Sequence, residues 1–116
     1  MRNSLLLLMI LLLTVHCTQK KSMHINDFSN ENLNKEVLID VRTPEEYQEG
    51  HLDGAININW FDPDFTQQVE ALGQKKGIYV YCKKGGRSAK AAAVLDSLGY
   101  GATDLLGGYD EYIPAD

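Results

Sequence analysis

Apolar and polar positions follow two regimes along this chain. Leu5 to Leu13 is an unbroken apolar run, whereas from Met23 onward short apolar stretches alternate with longer segments of helical spacing. Val37 to Val41 (VLIDV) shows no polar alternation before Asp40, the pattern of a strand covered on both faces. Ile78 to Tyr81 is a second strong strand; Ala55 to Ile58, Thr103 to Leu106 and a short first stretch, Met23 to Ile25, read as others. Helical patterns lie between them. Asp27 is placed to cap a helix reaching Leu33. Thr43-Pro44-Glu45-Glu46 opens another, ending near Gly50: a threonine N-cap, a proline at the first helical position where no N–H is needed, and acids in the positive first turn. Phe65, Val69 and Leu72 share one face of a helix over Pro63 to Leu72, preceded by Asp62. Ala91, Val94, Leu95 and Leu98 do the same in a helix from Arg87 to Leu98, which Gly99 stops. Strands alternating with helices predict a layered α/β domain.

At 116 residues the chain has room for one such domain, and a monomer is expected from its small size. No internal repeat or low-complexity tract divides it. A net charge of −5 argues against a general nucleic-acid binder. Two cysteines, Cys17 and Cys82, are too few for a disulfide framework and stand in unlike contexts.

Residues 1–17 have the layout of an export signal: Arg2 near the start, the apolar run, then Cys17. A membrane-spanning helix needs about 20 apolar residues, so this run is too short for a permanent span. No small-x-small cleavage pattern follows it. A cysteine just beyond the run resembles a bacterial lipoprotein signal, with His16 and Thr14 where such signals usually carry a small residue and Leu. The expected organisation is a signal over 1–17 ending at Cys17 as the lipid attachment residue, a polar tether over 18–22, and a domain over 23–116. The expected location is exported, at the periplasmic or extracytoplasmic face of a membrane, held by an N-terminal lipid.

The most informative stretch delivers Cys82 from a buried strand into Lys83-Lys84-Gly85-Gly86-Arg87-Ser88, with an alanine-rich helix directly after it. A strand, tight loop and helix N-terminus make an anion cradle: Gly85 and Gly86 allow N–H groups to turn inward, and the helix adds its positive end. A thiolate in such a cradle is the species that attacks sulfur or phosphorus. Lys83 and Lys84 would attract an anionic substrate, and Ser88 is placed to cap the helix.

Three further segments go with this loop: Leu38-Ile39-Asp40-Val41-Arg42-Thr43-Pro44-Glu45-Glu46-Tyr47, Gly50-His51-Leu52-Asp53-Gly54-Ala55-Ile56-Asn57, and Leu106-Gly107-Gly108-Tyr109. Together, and in this order, they resemble the rhodanese-like domains over about residues 23 to 113. That resemblance implies a three-layer α/β fold with a mostly parallel central sheet flanked by helices. It also implies a sulfurtransferase in which the cysteine takes a sulfane sulfur from a small anionic donor such as thiosulfate, becomes a persulfide, and passes the sulfur to cyanide, a thiol or a protein thiol. Cys82 matches the catalytic position, Lys83 to Arg87 match the loop of backbone donors, and Arg87 matches its closing arginine.

Asp40, Arg42 and His51 are expected to support the domain: Asp40 at a strand end, Arg42 paired with a carboxylate such as Glu46, His51 in the turn before the next strand. Persulfide chemistry on an ionised thiol does not require a histidine base. No cofactor is implied, and the histidines and cysteines do not fall at metal-ligand spacing. Two alternatives stay open. One is a noncatalytic sulfur carrier or binding module. The other, a cysteine phosphatase or arsenate reductase, is disfavoured because Cys82 and Arg87 form Cys-x4-Arg, one residue tighter than the phosphatase-like Cys-x5-Arg.

Overall fold

The β-branched and aromatic runs form the sheet. The computed structural model describes residues 21–115; the apolar run, Cys17 and residues 18–20 of the expected tether lie outside the described residues. Its strands are β1 (Lys21–His24), β2 (Val37–Asp40), β3 (Ile56–Asn57), β4 (Ile78–Tyr81) and β5 (Ala102–Leu106). They are ordered β1-β5-β4-β2-β3, and every neighbouring pair is parallel. The sheet is thus wholly rather than mostly parallel. A parallel sheet gathers all strand C-termini at one edge, where the connecting loops build binding sites. Asp40 lies opposite Tyr81 in the register, so Cys82 emerges at that edge beside Val41 and Arg42.

The helices are α1 (Pro44–Glu49), α2 (Phe65–Glu70), α3 (Gly86–Ser97) and α4 (Gly108–Glu111). On one face of the sheet, Ile39, Val80 and Cys82 pack with Phe65 and Val69 of α2 and Ala91 and Leu95 of α3. On the other, Leu38, Tyr81 and Leu105 pack with Ile25 and Leu52, joined by Tyr47 of α1 and Tyr109 of α4. The result is the rhodanese-like three-layer arrangement the motifs implied.

Several expected boundaries shift. The predicted helix from Asp27 to Leu33 is replaced by two single 3-10 turns, Ile25–Asp27 and Asn30–Asn32, whose N-caps are the side chains of His24 and Ser29. Ser, Asn and Asp side chains compete for backbone groups and stop a helix from propagating, and this stretch is rich in them. The helix expected over Pro63 to Leu72 shortens to Phe65–Glu70, with Gln68 tied back to Asp62 and Asp64. In α1 the local signals act in full: Thr43 Oγ1 accepts from the Glu46 N–H while the Glu46 carboxylate accepts from the Thr43 N–H, a complete capping box.

Candidate functional site

Cys82 follows β4 directly and is 1% exposed. The Gly85 N–H donates to its Sγ at 3.0 Å, and the thiol donates to Ser88 Oγ at 3.4 Å. Ser88 Oγ in turn donates to the Gly85 carbonyl at 3.2 Å, so Ser88 does not cap α3; Gly85 occupies the cap position without a side-chain bond. Only one of the two loop glycines needs unusual backbone freedom. Gly85 has φ +120°, whereas Gly86 is an ordinary first helical residue with open space where a Cβ would stand.

The loop is held from behind by α4. The Tyr109 N–H donates to the Cys82 carbonyl at 2.8 Å and the Asp110 N–H to the Lys83 carbonyl at 3.0 Å. Gly108 has φ +68°, and a Cβ on it would collide with the Lys83 carbonyl. Leu106-Gly107-Gly108-Tyr109 therefore clamps the cysteine loop, a role its local sequence does not reveal.

Arg42 has a partner other than the one expected, and the carboxylate expected for it belongs to Arg87. Arg87 donates to both oxygens of Glu46, at 2.7 and 3.0 Å. Arg42 is not bound to Glu46; it donates through Nε and Nη2 to the Asp40 carboxylate, closest at 2.6 Å, and through Nη2 to the Gly50 carbonyl at 2.7 Å. Arg42 follows Asp40 by two residues in extended chain, so the guanidinium folds back along the strand edge and reaches Asp40 first. Its guanidinium carbon also lies 4.4 Å from the centre of the Tyr109 ring. Tyr81 Oη donates to Asp40 Oδ2 at 2.8 Å and accepts from the Leu52 N–H. Burial, reinforced by the Asp40 charge, pushes the Tyr81 hydroxyl well above its ordinary range. Asp40 and Arg42 thus form a buried brace under the loops. His51 stands apart: it is exposed, its ring stacks on Tyr47 at 3.7 Å, and its Nδ1 lies 2.8 Å from the Tyr47 carbonyl oxygen.

The Arg87 hydrogen bonds, with lesser help from Thr43, hold the Glu46 carboxyl down at about 2 against an ordinary 4.5. A depressed folded-state value contributes stability that is present above about pH 4.5 and lost as the pH falls toward about 2. Glu46→Gln is therefore expected to destabilise the domain at pH 6 by about 1–3 kcal/mol, as for hydrogen bonds to charged groups. Thermal midpoints measured from pH 7 to pH 2 should converge for the two proteins at the acid end; a pH-independent gap would assign the loss to something other than this ion pair.

The cleft over Cys82 is about 330 Å³, lined by Trp60, Phe61, Lys83, Lys84, Gly86, Arg87 and Lys90. Lys83, Lys84 and Lys90 are exposed at its rim. Trp60 and Phe61 were not singled out from the sequence, although they follow a strand whose C-terminal end lies at the site edge. Phe61 is 65% exposed, and the Arg87 guanidinium carbon lies 5.7 Å from its ring centre. A larger cleft of about 430 Å³ between Thr66, Glu70, Gln74 and Tyr100 contains no thiol, so size alone does not locate the chemistry.

The comparisons with known proteins agree with this geometry. A family model described as a rhodanese-like domain matches residues 25–115. The chain is 42% identical over 85 residues to Thiosulfate sulfurtransferase 16, chloroplastic, of Arabidopsis thaliana, covering 64% of this chain and 71% of that one. It is 36% identical over 73 residues to Thiosulfate sulfurtransferase PspE of Escherichia coli (strain K12), covering 63% of this chain and 70% of that one. Among solved structures it is similar to a rhodanese with anions from E. coli, with a TM-score of 0.58, 34% identity, and coverage of 69% of this chain and 94% of that one. With relatives of this kind and a family match that spans all four motif segments, the chain belongs to the rhodanese-like domain family.

Proposed function

We propose that this protein is a sulfurtransferase that carries a sulfane sulfur on Cys82. The observation that carries this reading is the placement of Sγ between the Gly85 N–H and Ser88 Oγ at the floor of a cleft rimmed by Lys83, Lys84 and Lys90. The cations draw in an anionic donor such as thiosulfate. The Cys82 thiolate attacks the outer sulfur; a new S–S bond forms to Cys82, the donor's S–S bond breaks, and its electron pair leaves with sulfite. A nucleophilic acceptor then attacks the terminal sulfur, and the electron pair of the persulfide bond returns to Cys82. The loop's part is to stabilise sulfur-centred negative charge at both steps with donors already in place. Arg87, tied to Glu46, shapes the loop and keeps a positive charge beside the thiolate.

Cyanide-dependent turnover of thiosulfate tests the reading: sustained release of thiocyanate and sulfite supports an enzyme. A single stoichiometric uptake of sulfur without turnover would favour the noncatalytic carrier instead. The tight Cys-x4-Arg spacing favours a lone sulfur atom over a phosphate ester.

The reading extends to location. Lipidation at Cys17 would place the domain at the extracytoplasmic face of a membrane, with the tether shorter than the expected 18–22 because Lys21 and Ser22 belong to β1. Lys21 begins β1 at the end of the parallel sheet opposite Cys82, so a tether entering there leaves the cleft facing away from the bilayer. Labelling cells with a palmitate analogue is expected to mark the wild-type chain and not Cys17→Ala; absence of label from both would reduce the segment to a secretion signal.

A further inference from the structure

The cleft over Cys82 carries more than a small anion uses. Among the described residues its lining holds Lys83, Lys84 and Lys90 and no carboxylate, although acids outnumber bases in the chain by 16 to 11. The three lysines are exposed and make no ion pair among the described residues. Unpaired cations gathered on one side of an acidic molecule select the charge of what docks there.

Trp60 and Phe61 add an aromatic element to the same cleft, and one of the two rings faces outward. The Trp60 N–H donates to the Val41 carbonyl at 3.0 Å and its ring meets the buried Phe65 ring edge-on at 5.2 Å, so Trp60 belongs partly to the core. Phe61 comes next and turns away. Its N–H donates to Asn59 Oδ1 at 3.0 Å, and the Asp62 N–H donates to the Asn59 carbonyl at 3.0 Å. These bonds fix a turn that holds the Phe61 ring out, 65% exposed, in the lining of the nucleophile's cleft. An aromatic ring already held in place costs little to dock against, and such rings are the usual anchors of protein interfaces. Cyanide and thiosulfate, small and hydrophilic, gain nothing from it.

We propose that the sulfur acceptor is a protein that presents an exposed cysteine beside an apolar side chain and among acids. The apolar side chain seats on Phe61, and the acids meet Lys83, Lys84 and Lys90. This inference rests on Cys82 being the sulfur carrier of the proposed function and names its acceptor class. The cleft, at about 330 Å³, is of the size that takes an organic ligand rather than an ion of a few atoms. In the transfer the acceptor thiol gives its proton to solvent, and its sulfur bonds to the terminal sulfur of the Cys82 persulfide. The bond to Cys82 breaks with its electron pair returning to Cys82, so the sulfane sulfur changes hands without net oxidation.

Trp60 is the chain's one tryptophan, so its emission reports on the cleft. The test uses the full chain with Cys17→Ala and short blocked peptides carrying a central cysteine, a neighbouring leucine and flanking acids. Binding is read first from Trp60 emission, with serine replacing the peptide's cysteine and no sulfur donor present. The acidic peptide is expected to bind about tenfold more tightly than its lysine-flanked counterpart, and Phe61→Ala to remove the advantage of the leucine. Lys90→Ala, a second exposed position, should weaken binding about threefold. Transfer is read next, in the first turnover of thiosulfate-loaded protein. The cysteine peptide should take sulfur about tenfold faster than glutathione at equal concentration, and Phe61→Ala should lower the peptide-to-cyanide rate ratio about fivefold. Equal affinity for acidic and basic peptides, or an unchanged ratio in Phe61→Ala, would overturn the proposal. So would glutathione matching the peptide, which would make the acceptor a small thiol acid. Failure of Cys82 to load strikes the sulfur-carrier reading, whereas failure of peptide binding with cyanide turnover intact strikes this one alone.

Discussion

Cys82→Ser is expected to abolish thiosulfate turnover while leaving the thermal midpoint within a few degrees of wild type. The exchange removes the nucleophilic sulfur but keeps a small side chain between the Gly85 N–H and Ser88 Oγ, so the loop retains its hydrogen bonds. Intact-mass measurement after incubation with thiosulfate should show the wild-type chain heavier by one sulfur atom and the variant unchanged. Cys17 is the other cysteine of the sequence, and Cys17→Ala provides the control that assigns the sulfur to Cys82. A loss of activity on this scale is large because, among the described residues, no other thiol stands in the cleft to take over the chemical step. Persistent turnover by Cys82→Ser would sink the persulfide mechanism.

Asp40→Ala is expected to cost about 3–5 kcal/mol of stability, the usual consequence of leaving one member of a buried ion pair without its counter-ion. Arg42, 3% exposed, would keep its guanidinium charge under the Tyr109 ring with only the Gly50 carbonyl as acceptor. The Tyr81 hydroxyl and the Arg42 N–H would lose their acceptor in the same stroke. Urea unfolding should show a lower midpoint at an unchanged slope. Removing both charges in Asp40→Ala with Arg42→Met should recover part of the loss, since the desolvated guanidinium goes too. If the single variant unfolds at the wild-type midpoint, the brace does not hold the loops as described. A supporting role also requires that turnover per folded molecule fall far less than for Cys82→Ser.

What the sequence by itself determined is what local physics determines. The VLID and IYVY runs place the two central strands because such runs are stable only when covered on both faces. Thr43, Pro44 and Glu46 set the start of α1 because a capping box is closed by residues three apart. Gly85 falls in the strand-to-helix turn after Cys82 for the same reason of short range, whereas Ser88 stands inside the first turn of α3 and not at its cap. Where competing side chains crowd together, as from Asn26 to Asn32, even local order was misjudged, and 3-10 turns stand in place of a helix.

Partner choice was decided only by the tertiary structure. Glu46 stands four residues from Arg42 in the chain, yet it binds Arg87, which is 41 residues away, because α1 and α3 both begin at the C-terminal edge of a parallel sheet. Gly108 matters because the Lys83 carbonyl lies where its side chain would be. Trp60 and Phe61 reach the cleft from a segment that is distant from Cys82 in sequence and adjacent to it in space. Periodicity states which face of an element is buried, but not which charge or ring waits on the element packed against it; that depends on strand order, and β1-β5-β4-β2-β3 is written in no single segment.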